Sequence, residues 1–173
     1  MSAVEIRKGA LWARLRPVGA PSRWLFGVFT WGIGPFQIGD PEGVETLLVY
    51  EPELYSVLAD RNHREHPALC TADRDAVFDF VTGVCRDRIS LEDVPEAFRS
   101  VDIPGRHYLR LTLDAYRDWT LVLFQCGETD ILMVERVSTS ERRVFALPRG
   151  SVDALLLATA RQIEAWRAPF SAP

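Results

Sequence analysis

Apolar and polar positions alternate with period two from Leu11 to Arg16, which predicts a strand with one buried face. Arg16-Pro17 closes it, and Gly19-Ala20-Pro21-Ser22 reads as a turn. Trp24 to Asp40 then sets five aromatics and four glycines in seventeen residues. Such residues suit a pleated surface, and Gly34-Pro35 breaks the run, so a strand, a tight turn and a short return strand are predicted. After Asp40-Pro41-Glu42-Gly43 the period lengthens. Val44, Leu47 and Leu48 begin a helix, Glu51-Pro52 interrupts it, and Pro52 opens a second helix with Leu54, Val57 and Leu58 inward.

Arg61 to Leu69 is polar and irregular. Thr71 is positioned to cap a helix with Asp73 and Asp75 in its first turn and Val77, Phe80, Val81 and Val84 as its buried stripe. Ser90-Leu91-Glu92-Asp93 resembles a capping box, predicting one short helix that ends near Phe98. His107 to Leu113 alternates as a strand, and Trp119 to Cys126 is apolar enough for a strand covered on both faces. Gly127-Glu128-Thr129-Asp130 turns into a strand from Ile131 to Val137, and Val144 to Leu147 forms a last one. Val152, Leu155, Leu156, Thr159, Ile163 and Trp166 recur at helical spacing after Gly150-Ser151. This order predicts an α+β fold, a mostly antiparallel sheet with helices packed on it, in a single domain spanning 1–173.

Composition narrows the setting. No apolar run approaches the ~20 residues of a membrane span, and no secretory leader is visible. Three cysteines, Cys70, Cys85 and Cys126, form an odd and widely spaced set. That argues against a disulfide framework and for a reducing cytoplasm, with Cys85 and Cys126 as small buried hydrophobes. The basic residues are nineteen arginines and one lysine, Lys8, a bias that GC-rich coding explains without phosphate binding.

Charge is unevenly distributed. Residues 1–39 carry a net +4, residues 40–102 a net −9 from fifteen acids and six bases, and residues 103–173 a net +1. The central block attracts a basic partner and disfavours nucleic acid. Acidic helix ends and solvated helix faces account for much of any single carboxylate. Candidate contact charges are Glu42, Glu45, Glu51, Glu53, Asp87, Glu92, Asp93 and Glu96, with Tyr50, Tyr55 and Tyr116 as possible aromatic anchors or core residues.

Catalytic chemistry finds little footing. His63-x-x-His66 with Cys70 is the one cluster of metal-ligand types, and Cys85 or Asp73 would have to complete it. His66 precedes a proline in a loop, so solvated histidines are the plainer reading, and no metal or cofactor is assigned. Gly-x-Ser-x-Gly, His-Glu-x-x-His and Walker patterns are absent, and carboxylate pairs such as Glu92-Asp93 are ordinary at helix starts. A small metal-dependent hydrolase on His63, His66 and Cys70 stays as one alternative. A ligand-binding or scaffold module lined by Trp12, Trp24 and Trp31 stays as another.

One resemblance goes further. Phe26-Gly27, Trp31-Gly32-Ile33-Gly34 and Ile38-Gly39-Asp40 resemble an immunity-protein family of bacterial polymorphic toxin systems, the family usually numbered forty-two. Leu47-Leu48, Asp118-Trp119-Thr120-Leu121-Val122-Leu123, Asp130-Ile131-Leu132 and Phe145-Ala146-Leu147-Pro148-Arg149-Gly150 extend the likeness over roughly half the chain. The resemblance implies a small, cytoplasmic, non-enzymatic bacterial protein that binds and neutralises a cognate toxin domain. Met1 to Ala10 departs from the pattern as an added tail, and Asn62 to Arg106 matches none of it.

Overall fold

The computed structural model describes residues 1–19, 24–111 and 114–168, with Leu91 described by its backbone alone. It is an α+β protein whose described residues form two antiparallel sheets and four α-helices, where one sheet was expected. Its residues group into two compact units, each built from separate stretches of chain: 1–59, 111–119 and 151–173 in the first, 60–110 and 120–150 in the second.

In the first unit, β1 (Val4–Lys8), β2 (Leu11–Pro17), β3 (Phe26–Ile33) and β4 (Phe36–Ile38) lie in chain order, and β5 (Glu45–Thr46) also pairs with β3. The N-terminal decade expected as a tail therefore supplies an edge strand, with Ile6 opposite Ala13. The turn predicted over Gly19 to Ser22 lies, from Ala20 on, outside the described residues. The glycines of the aromatic hairpin have specific work. Trp12 faces Gly32 across β2 and β3, and a Cβ at Gly32 would overlap the Trp12 ring and the Phe36 carbonyl oxygen. Gly34 turns the chain with φ 53°, and its carbonyl accepts the Trp12 indole N–H at 2.8 Å.

Helix α1 (Leu47–Ala59) runs unbroken through Pro52, where two helices were expected. Pro52 sits in the second turn on the exposed side, so one missing N–H costs a single backbone bond while Tyr50, Leu54, Val57 and Leu58 stay buried. Helix α4 (Ser151–Arg167) buries Val152, Leu155, Leu156, Thr159 and Ile163 of the predicted stripe, leaves Trp166 half-buried, and packs against α1, β1 and β2. Phe29, Tyr50 and Tyr116 form an aromatic cluster with ring centroids 5.0–5.9 Å apart. Tyr116 also donates its hydroxyl to the Phe29 carbonyl at 3.0 Å.

In the second unit, β6 (Trp119–Cys126, whose first residue belongs to the first unit), β7 (Thr129–Arg136) and β8 (Glu141–Pro148) form a meander with β7 central. The free edge of β6 is covered by single bridges, Glu65 to Gln125 and Tyr108 to Val122. The strand predicted from His107 reduces to that bridge and one bond from Leu109 N–H to the Leu121 carbonyl. Pro104 starts a 3-10 turn that runs to His107, and residues 112 and 113 lie outside the described chain.

Helix α2 (Pro67–Thr71) occupies part of the stretch read as irregular, and His66 caps it. Asp73, rather than Thr71, caps α3 (Arg74–Cys85), accepting from Ala76 N–H at 3.1 Å. Leu69, Val77, Phe78, Phe80 and Val81 meet Val122, Phe124, Ile131 and Met133 in this unit's core. Asp130, fully buried, is compensated by Gln125 and the Gly150 N–H, both donating to Oδ1 at 3.0 Å.

Cys70 and Cys126 form a disulfide, with Cα atoms 5.6 Å apart and a sequence separation of 56. This corrects the reading of Cys126 as a buried thiol. Gln125 donates its N–H to the Arg64 carbonyl and bridges to Glu65, which lays the start of α2 along the end of β6 and brings the two sulfurs together. Cysteine usage therefore no longer argues for a reducing compartment. Cys85 is free, and burial pushes its thiol pKa up, away from nucleophilic character.

Candidate functional site

Beyond Cys85 the chain reverses over its own helix. Asp87 takes φ 54°, and the N–H groups of Arg88 and Ile89 both bond the Gly83 carbonyl. A side chain at 83 would collide with Ile89, so glycine lets the return segment lie close. Ser90 accepts from the Asp93 N–H, as the capping pattern predicts, and its hydroxyl also donates to the Asp93 carboxylate at 2.7 Å. Pro95 then stops the helix after one turn, leaving two 3-10 turns at 91–93 and 96–98 in place of the single helix expected.

Between α3 and this return segment runs an open groove of about 550 Å³. Phe80 and Phe98, stacked with centroids 4.5 Å apart and planes 6° from parallel, lie beside Ile89 on its apolar lining. The small side chains of Ala76 and Ala97 keep it open, and Asp73 and Asp79 border it. Residues 73–98 carry seven acids and three arginines, so an apolar channel runs through a net negative segment.

The strongest local charge arrangement surrounds Arg142 on β8. Its guanidinium lies 4.0 Å above the Phe78 ring and binds Asp75 at 2.7 Å, Asp79 at 2.8 Å and Glu135 at 3.2 Å. Burial alone would lower the Arg142 pKa, but the hydrogen bonds it donates to the three carboxylates outweigh it and hold the group above its ordinary value. Three carboxylates on one cation leave negative charge in excess, and the Asp75 and Asp79 side chains are 74% and 69% exposed. Asp75 reads from the sequence as a helix-start acid and Asp79 has no reading there, although their i, i+4 spacing opposite the Val77 stripe places them on one solvent face.

The eight acids singled out from the sequence divide between the units. Asp87, Glu92, Asp93 and Glu96 belong to the second, all exposed on the return segment that borders the groove. In the first, Glu42 is exposed and Glu53 half-buried. Glu45 and Glu51 are committed inside that unit. Glu45 accepts the Ala115 N–H at 2.7 Å and the Tyr50 hydroxyl at 2.9 Å, and Glu51, 7% exposed, lies 3.1 Å from Arg167. Tyr50 and Tyr116 are core residues, and burial, first among the causes, raises both phenol pKa values far above normal. Tyr55 is exposed and bonds Glu164. Of the three tryptophans imagined around a ligand, Trp12 and Trp31 are buried in the sheet packing while Trp24 is 58% exposed.

His66 Nδ1 accepts the Ala68 N–H, which leaves Nε2 to donate to the Ser100 carbonyl at 2.9 Å. With both ring nitrogens engaged and Cys70 in the disulfide, two of the three proposed ligands are occupied. Among the described residues no group of three or more His, Cys, Asp or Glu is arranged to hold a metal. No helix described is long and apolar enough to cross a membrane.

A family model described as immunity protein 42 matches residues 8–161, and the crystal structure of CdiI from Burkholderia dolosa AUO158 superimposes with a TM-score of 0.63. That likeness covers 88% of this chain and 95% of the other at 16% identity, which speaks to fold. No curated protein matches.

Proposed function

We propose, from the premise that the chain belongs to the immunity protein 42 family, that it protects a toxin-producing bacterium by binding a cognate toxin domain in the cytoplasm. Inhibition is by stoichiometric occlusion, without turnover and without a cofactor. The observation that carries this reading, beyond the family, is the acid-bordered groove of the second unit. A toxin that acts on phosphate-bearing substrates presents lysine and arginine at its working face. Carboxylates opposite them speed association, and apolar contacts between them slow release.

Contact charges in this reading are Asp87, Glu92, Asp93 and Glu96, with Asp73 capping α3 and Asp75 and Asp79 on it. Glu42 and Glu53 remain candidates on the first unit. Glu45 and Glu51 hold the fold instead.

Protection in cells tests the reading. The toxin domain encoded immediately upstream is expressed under tight control, with and without this chain. Rescue of growth by the wild-type chain, and its loss on joint reversal of Glu92, Asp93 and Glu96 to lysine, is the expected result. Equal killing with and without the wild-type chain would remove the pairing. Full rescue by the reversed variant would remove these acids from the interface.

A further inference from the structure

We propose that the groove between α3 and the return segment receives a basic–apolar segment of the partner protein. One large apolar side chain seats against Phe80, Ile89 and Phe98, and flanking lysine or arginine side chains pair with Asp73 and Asp79. The inference rests on the toxin-binding reading and gives it a docking site.

The lining sets the central chemistry. Phe80 and Phe98 are 1% and 3% exposed, so their stacked pair is a rigid, preformed wall rather than loose surface hydrophobes. Ala76 and Ala97 are both exposed, and longer side chains at either position would project where the cavity now opens. A volume of about 550 Å³ admits a bulky side chain and its neighbours.

Charge sets the flanks. With seven acids against three arginines over residues 73–98, an acidic peptide or a nucleic-acid backbone is repelled and a cationic segment is drawn in. Arg142 does not reverse this, because Asp75, Asp79 and Glu135 already surround it. The arrangement matches the usual anatomy of a binding hot spot, an apolar anchor ringed by polar pairs that exclude water.

Two measurements on the full-length protein decide it. The first titrates the peptide Ac-Lys-Arg-Trp-Leu-Arg-Lys-NH2, and its analogue with glutamate at every basic position, while amide shifts are followed by NMR. Shifts centred on Ala76, Phe80, Ile89 and Ala97, with the basic peptide favoured at least about tenfold at low salt, are expected. Shifts elsewhere, or none, would overturn the groove as a docking site. Equal binding of both peptides would overturn its basic chemistry and leave a pocket for apolar molecules.

The second compares wild type with the double variant Ala76→Lys and Ala97→Lys, two exposed alanines whose replacement leaves the core intact, against the upstream toxin domain. Affinity should fall by about tenfold or more while the melting temperature stays within about 2 °C. Unchanged affinity would overturn the proposal. Failure of the wild type to bind a folded toxin domain, with the basic peptide still held in the groove, would overturn the toxin-binding reading and support the groove's chemistry.

Discussion

Arg142→Met separates the structural worth of the acidic cluster from its functional worth. Methionine keeps an unbranched stem over Phe78 while removing the charge that Asp75, Asp79 and Glu135 share. The two aspartates are largely exposed, so each pair contributes only about 0.5 kcal/mol. Glu135, 19% exposed, adds about 1 kcal/mol, and the cation over the Phe78 face at 4.0 Å about 1 kcal/mol more. Freeing a long side chain and relieving its desolvation offsets part of that sum. The net loss expected is about 1–2 kcal/mol, or roughly 3–6 °C in melting temperature for a chain of this size.

Salt provides the diagnostic. Without Arg142 the three carboxylates repel one another, so added salt should stabilise the variant relative to wild type. The same substitution makes the surface more negative by one charge, so association with a basic partner at low salt should accelerate about twofold. Urea unfolding at two salt concentrations and stopped-flow association measure these effects. A variant as stable as wild type, with an unchanged salt slope, would show that the arginine does not organise the cluster.

Three further predictions concern the framework. Replacing Cys70 and Cys126 together by serine opens a loop spanning 56 residues and should cost about 2–4 kcal/mol, read as a lower urea midpoint that reductant no longer shifts; a wild-type midpoint indifferent to reductant would refute the bridge. Gly32→Ala drives a methyl into the Phe36 carbonyl and the Trp12 ring, and should cost at least about 3 kcal/mol or abolish soluble expression, whereas Gly9→Ala, which meets open space and only the backbone strain of φ 62°, should cost about 1–2 kcal/mol. His107 is held down to about 4, first by burial and then by the positive charge of Arg64 acting against a hydrogen bond to Leu123. Its folded value is below its unfolded one, so the unfolded chain takes up the proton first. Stability is full above about pH 6.5 and falls toward pH 4, by up to about 1.4 kcal/mol per pH unit, and His107→Gln should flatten that part of the profile in acid titrations followed by circular dichroism.

Local chemistry was legible where one segment decides its own structure. The aromatic hairpin, β6 to β7 and the stripe of α4 follow from alternation, glycine placement and helical period. Elements decided by distant contacts were not. Pro52 looked like a helix boundary because its cost is local, while the burial that carries α1 across it is tertiary. The segment from His107 alternates as a strand should, yet among its described residues only one bridge forms, from Tyr108 to Val122, after a 3-10 turn that takes up its first residue. The disulfide depends on a bridge between Glu65 and Gln125 that no cysteine spacing encodes.

The site divides in the same way. The excess of acids over residues 40–102 was visible as a sum, but the sum does not say which carboxylates face water. Glu45 is spent on the Ala115 N–H, seventy residues away in sequence, and Glu51 on Arg167. Asp75 and Asp79 look ordinary until Arg142 arrives from β8. The groove itself exists because Gly83 admits Ile89 and Pro95 stops a helix that Ser90 begins, and neither feature signals a cavity by itself.

Titration calorimetry of this protein with the toxin domain encoded immediately upstream, at low and at high salt, puts binding and its electrostatic origin to the test together. Acidic occlusion predicts a 1:1 complex with a Kd of about 1–10 nM at low salt that weakens at least about tenfold at high salt. A folded toxin domain that gives no heat of binding and no complex at either salt would contradict it.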